Sequence, residues 1–134
     1  MGIGGRWGVV RGAAWTTVAV SAVGAVHAVR RNRPARFAAI HLPGSPAAHA
    51  CTIGSPLSAP PLMLAALVGS AASERAGVVR LLSAGFLIGI LGEVDTWSVV
   101  RRPASDPVAA ACIAGYLVLP AVMLMGAGSG SAPR

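Results

Sequence analysis

Formal charge is confined to a few short places in this chain, and the runs between them are long enough to cross a bilayer. From Gly12 to Val29 eighteen residues carry no charge, framed by Arg11 and Arg30. As a helix this run rises about 27 Å, close to the ~30 Å hydrocarbon core of a membrane. Trp7 and Trp15 near its start suit an interfacial level. A soluble fold of 134 residues must cover a large surface with polar groups. Here 11% of residues are charged and 54% hydrophobic, where soluble domains carry roughly 25% charged residues. A lipid-facing surface removes that demand, so the expected class is an all-α integral membrane protein.

Four transmembrane helices are expected, at 12–29, 57–73, 81–100 and 107–126, forming one domain over residues 1–128 with a flexible tail at 129–134. A secretory signal peptide is the rival reading of the first run, with Val26-His27-Ala28 as its cleavage site. The dense cluster Arg30, Arg31, Arg33 and Arg36 directly behind it resists translocation and favours a retained helix. From Phe37 to Ser73 there is no charged residue, yet five of the ten prolines fall there. Proline removes a backbone donor and clashes with the preceding turn, so this stretch cannot be one helix. Its helical part is expected to start near Pro60 or Pro61 with Ser58 as N-cap. The broken, apolar segment Phe37–Ser55 reads either as a re-entrant loop packed on the bundle or as an exposed loop. Asp106-Pro107 opens the last helix as N-cap and first-turn proline, and Pro120 lies within it.

Four crossings put both termini on one side of the membrane, here side A, and the proline-rich first loop and the third loop on the other, side B. Side B is read as cytoplasmic because its arginines are denser, which makes the chain a multi-pass protein of the cell membrane. The net charge of +7 comes from arginine without any lysine. These arginines flank apolar runs instead of interleaving with a polar surface, which excludes nucleic acid as the partner. Side B gathers His27, His41, His49, Cys51, Glu93, Asp95, Asp106 and Cys112.

Glu93 is the leading candidate functional residue, because a carboxylate within a membrane helix is costly and marks function. The competing reading places it at interface depth, solvated or paired with an arginine. Asp95 is a second candidate, pointing about 160° away from Glu93 on a continuous helix. Gly85 and Gly89 form a GxxxG pair, expected to pack against another helix. His41, His49 and Cys51 are weak metal candidates, since His-x7-His-x-Cys matches no established ligand spacing; no cofactor is expected. Cys51 and Cys112 share a side and are read as packing residues in preference to a disulfide. Thr16, Thr17, Ser21 and Ser83 are expected to bond between helices.

Three functional classes remain. The first is a non-enzymatic component that packs with itself or with a larger membrane complex, the lipid bilayer being its other partner. The second is a small proton-coupled transporter using Glu93. The third is a membrane-embedded metal or redox enzyme using the side-B histidines, cysteines and acids. The absence of a catalytic signature favours the first.

Overall fold

The computed structural model describes residues 3–33, 36–37, 40–41 and 43–128. Its elements are α1 (Ile3–Arg30), the two-residue strands β1 (Arg36–Phe37) and β2 (Ile40–His41), α2 (Pro46–Cys51), α3 (Pro61–Ala72), α4 (Ala76–Gly92), α5 (Val94–Arg101), a 3-10 turn (Pro103–Ser105) and α6 (Pro107–Gly128). The strands form one small antiparallel ladder, and the remaining elements among the described residues are helices. Two helices, Gly4–Arg30 and Pro107–Gly128, are long and apolar enough to cross a membrane. The tail expected at 129–134 lies outside the described residues.

Local chemistry sets the ends of these helices. The Asp106 carboxylate accepts the Ala109 amide at 3.1 Å, and Pro107 follows in the first turn, where its missing N–H costs nothing. α1 ends on Asn32 at φ 50°. The Arg33 amide then reaches Ala28 O at 2.9 Å and the Asn32 amide reaches Val29 O at 3.0 Å, the double bond pattern of a left-handed C-terminal cap. α3 ends in the same way on Glu74, at φ 55°, with Arg75 N bonded to Ser70 O at 2.9 Å.

Three of the expected spans change. The first helix begins at Ile3, so Arg6 and Arg11 lie inside it. The second begins at Pro61 and holds only 12 residues. Ser58 is not its N-cap: the Ser58 hydroxyl accepts the Ser55 amide at 2.9 Å and bonds the Ser55 hydroxyl at 2.7 Å, closing a turn instead. The third starts at Ala76 and breaks at Glu93, whose backbone is extended (φ −77°, ψ 123°). Gly92 before the break and Val94, Asp95 and Thr96 after it are poor helix formers. The Trp97 indole N–H donates to Leu91 O at 3.0 Å, satisfying a carbonyl that the break orphans.

The core is an antiparallel pair, α1 against α6, with α4 along the other side of α6 and α3 against α1 and α4. At one end Arg6 Nη2 donates to Gly126 O at 3.1 Å, and Arg11 reaches Glu74 at 2.8 Å. At the other end His27 meets Asp106 at 2.9 Å. One end thus holds Arg6, Arg11 and Glu74, and the other holds His27 and Asp106. Glycines let the backbones approach: a Cβ on Gly126 would come within 2.7 Å of Val10, and one on Gly115 within 3.2 Å of Val20. Gly85 and Gly89 make no such close approach to another backbone within this chain. A Cβ on Gly85 would meet only the Met63 methyl at 3.7 Å, and one on Gly89 nothing within 4 Å. Thr16 and Thr17 also stay within their own helix, bonding Gly12 O and Ala13 O, each at 2.8 Å. Ser21 does bond between helices, to the Tyr116 hydroxyl.

The segment ahead of α3 folds into the bundle. Ser45 caps α2 through the Ala48 amide at 3.2 Å. The chain then turns at Gly54 (φ 92°) and buries Leu57 to 2% exposure. Leu57 O lies over Gly24, where a Cβ would be only 1.9 Å away. The Ala59 amide donates to the Tyr116 hydroxyl at 2.8 Å. Tyr116 stands nine residues into α6, about 14 Å from its start. α3 therefore begins partway through the bundle and covers the remaining distance, about 18 Å, to Arg11. Its shortness follows from this: the loop ahead of it covers the other half of the bundle's length.

Candidate functional site

Between the re-entrant loop and α4 lies a cavity of about 390 Å³, within the size range of small-molecule pockets. Ile53, Ser55, Pro56 and Ser58 form its roof. Gly85 and Gly89 form a smooth floor because neither carries a side chain, and Phe86, Ile90 and Met63 form apolar walls. Glu93 and Tyr116 are its polar ends.

Each polar group is held by the fold. Glu93 is buried, at 7% exposure, and engaged in an interaction of its own, and the α4–α5 break at its extended backbone brings it to the cavity lining. The Tyr116 hydroxyl accepts the Ala59 amide and shares a hydrogen bond with Ser21, tying loop, α6 and α1 together. The Tyr116 ring packs edge-on against Phe86, with centroids 6.5 Å apart and planes at 71°. Ser55 and Ser58 bond each other. The lining is therefore apolar, with one acid at its edge.

A second constellation lies at the side-B end. The Asp106 carboxylate is buried and receives His27 Nε2–H at 2.9 Å and Arg33 Nη2 at 3.3 Å, in addition to the Ala109 amide. Burial alone would raise this carboxyl. The hydrogen bonds from His27 and Ala109 and the charges of His27 and Arg33 outweigh it, holding the group below the ordinary 3.8. This cluster joins the ends of α1 and α6 and does not line the cavity.

The other candidates separate. His49 is buried in α2, and its Nε2–H donates to Pro43 O at 3.0 Å. Its ring occupies the space beside Gly44, where a Cβ would come within 2.8 Å of Nε2. It staples the loop and does not reach the cavity. Asp95 is half-buried in the first turn of α5, past the helix break and away from the cavity. His41 pairs with Arg36 through the backbone ladder; the reading of its side chain lies outside the described residues. Cys51 is exposed, Cys112 is buried, and both are free thiols. Among the described residues no three His, Cys, Asp or Glu side chains converge as metal ligands.

Two contributors escaped the sequence reading. Tyr116 is the single tyrosine of the chain. A hydroxyl inside an apolar run needs a buried partner, and that need was the available signal. The His27–Asp106 pair was legible only as two groups beyond the ends of two apolar runs, since nothing in the sequence shows that α1 and α6 are neighbours. No family model matches this chain, and no curated protein or solved structure is detectably similar to it.

Proposed function

We propose that this chain is a multi-pass protein of the cell membrane that binds a small, mainly apolar molecule in the cavity beside Glu93, as a proton-coupled carrier and not as an enzyme. In this reading α1, α4 and α6 each cross the bilayer, and the re-entrant loop with α3 makes a fourth crossing. Both termini then share one side, and the first and third loops face the cytoplasm. The exposed apolar residues support the membrane setting. Leu62 on α3, Leu81 and Ile88 on α4 and Met125 on α6 are 81%, 73%, 66% and 69% exposed. Apolar surface facing outward from helix after helix is what lipid would cover.

The observation that carries the binding role is the open glycine floor. Gly85 and Gly89 face a cavity where a neighbouring helix would be expected, and an intramembrane acid stands at its end. Glu93, which already makes an interaction within the fold, would exchange it for a proton or for a donor group of the guest. Broken helices beside charged groups recur at transport sites, and both the α4–α5 break and the start of α3 border this cavity.

The test fills the cavity without disturbing the fold. Gly89→Leu places its side chain where nothing lies within 4 Å of a Cβ. In protein reconstituted into nanodiscs, this variant is expected to lose binding of a lipophilic fluorescent weak base while keeping its thermal stability. Glu93→Gln is expected to keep binding of a neutral apolar probe and to remove the pH dependence of weak-base binding. Unchanged probe binding in Gly89→Leu would sink the proposal.

The same floor favours a second reading, in which a helix of another copy or of a larger complex seats on Gly85 and Gly89. Native mass spectrometry separates the two. A specific dimer broken by Gly89→Leu supports the complex, whereas a monomer that loses its probe supports the carrier.

A further inference from the structure

The helix break at Glu93 frees α5 to take a course of its own, and its residues sort by direction. At 100° per residue Val94, Trp97 and Arg101 fall within about 60° of one another, and all three are exposed. Thr96 and Val99, on the opposite face, are buried against the bundle. The outward face thus carries an indole and an aliphatic side chain and ends in a guanidinium. The indole is fixed by its bond to Leu91 O. Arg102 follows directly and is also exposed.

The His27–Asp106 contact brings a second arginine pair to this rim. Arg30 and Arg31 follow His27 by three and four residues, and Arg102 precedes Asp106 by four. The two pairs therefore flank a 2.9 Å contact. Asp106, the acid between them, is already held by His27 and Arg33. The side chains of Arg30, Arg31, Arg101 and Arg102, all exposed, make no hydrogen bond or ion pair among the described residues. At the opposite end Arg6 is spent on Gly126 O and Arg11 on Glu74, Ala71 and Ala72, while Arg75 and Arg80 are exposed there with no side-chain partner among the described residues.

We propose that this rim is a binding site for anionic phospholipid headgroups, with Arg30, Arg31, Arg101 and Arg102 on the phosphates and Trp97 and Val94 seated at the acyl boundary. The proposal rests on the membrane reading above. Guanidinium forks match phosphate oxygens in geometry and charge. An exposed indole with an aliphatic neighbour requires an apolar phase beside those phosphates, which a lipid leaflet supplies and free phosphate does not. The anionic leaflet of a cell membrane is cytoplasmic, so the site also orients side B towards the cytoplasm.

The test is native mass spectrometry of the full chain released from nanodiscs holding equal amounts of phosphatidylglycerol and phosphatidylcholine. Wild type is expected to retain phosphatidylglycerol preferentially, and the preference should fall as ionic strength rises. Arg101→Gln/Arg102→Gln should reduce it by roughly tenfold or more, while Arg75→Gln/Arg80→Gln at the other end should leave it unchanged. Equal retention of the two lipids by wild type overturns the proposal. So does equal loss in the two double variants, or displacement of the lipid by millimolar inorganic phosphate. Failure to enter nanodiscs of any composition overturns the membrane reading and this site with it.

Discussion

Substituting Gly24 by alanine asks how closely the re-entrant loop must sit on α1. The new Cβ would lie 1.9 Å from Leu57 O, 2.8 Å from Leu57 C and 3.0 Å from Leu57 Cβ. Two of these are backbone atoms and cannot rotate aside. Restoring ordinary van der Waals separation requires the loop to withdraw by about 1.5 Å. Overpacking of this kind costs about 1–3 kcal/mol. A withdrawal of that size also breaks the 2.8 Å bond from the Ala59 amide to Tyr116, adding about 1 kcal/mol. Alanine in a helix is worth about 1 kcal/mol over glycine, so the net loss is about 1–3 kcal/mol. Gly12→Ala supplies the control, because it is in the same helix and nothing lies within 4 Å of its Cβ; it should gain about 0.5–1 kcal/mol. In thermal unfolding in one detergent, the two variants should move the midpoint in opposite directions, by a few degrees each, at roughly 2–8 °C per kcal/mol. A Gly24→Ala protein as stable as Gly12→Ala would refute the contact and the re-entrant loop that depends on it.

Tyr116→Phe keeps the ring on Phe86 but leaves the buried Ala59 amide without its acceptor, at a cost of about 1–3 kcal/mol; faster hydrogen exchange at Ala59 is the direct readout. Asp106→Asn removes the charge that His27 and Arg33 meet, costing about 2 kcal/mol at neutral pH. Because the folded Asp106 carboxyl lies below its ordinary 3.8, its contribution is complete above that value and is lost as pH falls through the lower folded value. An unfolding series below pH 4 should therefore show a loss in wild type that is smaller in the Asn variant. Arg11→Ala should shift stability by less than about 1 kcal/mol, since both partners of the Arg11–Glu74 pair are about half exposed; a larger loss in denaturant unfolding would show that Arg11 also anchors the end of α3.

Local chemistry foretold the start of α6 but not that of α3, where Ser58 closes a turn with Ser55 instead of capping. The Asp106-Pro107 start of α6 needs only a side chain and the next two turns of its own helix. The apolar run within α1 needed only hydrophobicity along the chain. Helix two and helix three were less legible. The prolines at 56, 60 and 61 announced a break, but a break is compatible with a loop in solvent or a loop in the bundle. Glu93 reads as a residue within a helix because Gly92 and Val94 merely lower helix propensity and do not forbid it.

What the amino-acid order determined by itself is the helical class, α1 and α6 as helices apolar and long enough to span a membrane, and the Asp106-Pro107 start of α6. What only the tertiary structure decided is which faces meet. A GxxxG pair and an isolated glycine look alike in sequence, since both merely lack a Cβ. Only the placement of the re-entrant loop made Gly24 a contact and left Gly85 and Gly89 open as the floor of a cavity. The physical reason is that hydrophobicity and capping act within a few residues, whereas a cavity is a property of surfaces that chain separation conceals. Tyr116 and Ala59, 57 residues apart, become partners only when that loop enters the bundle.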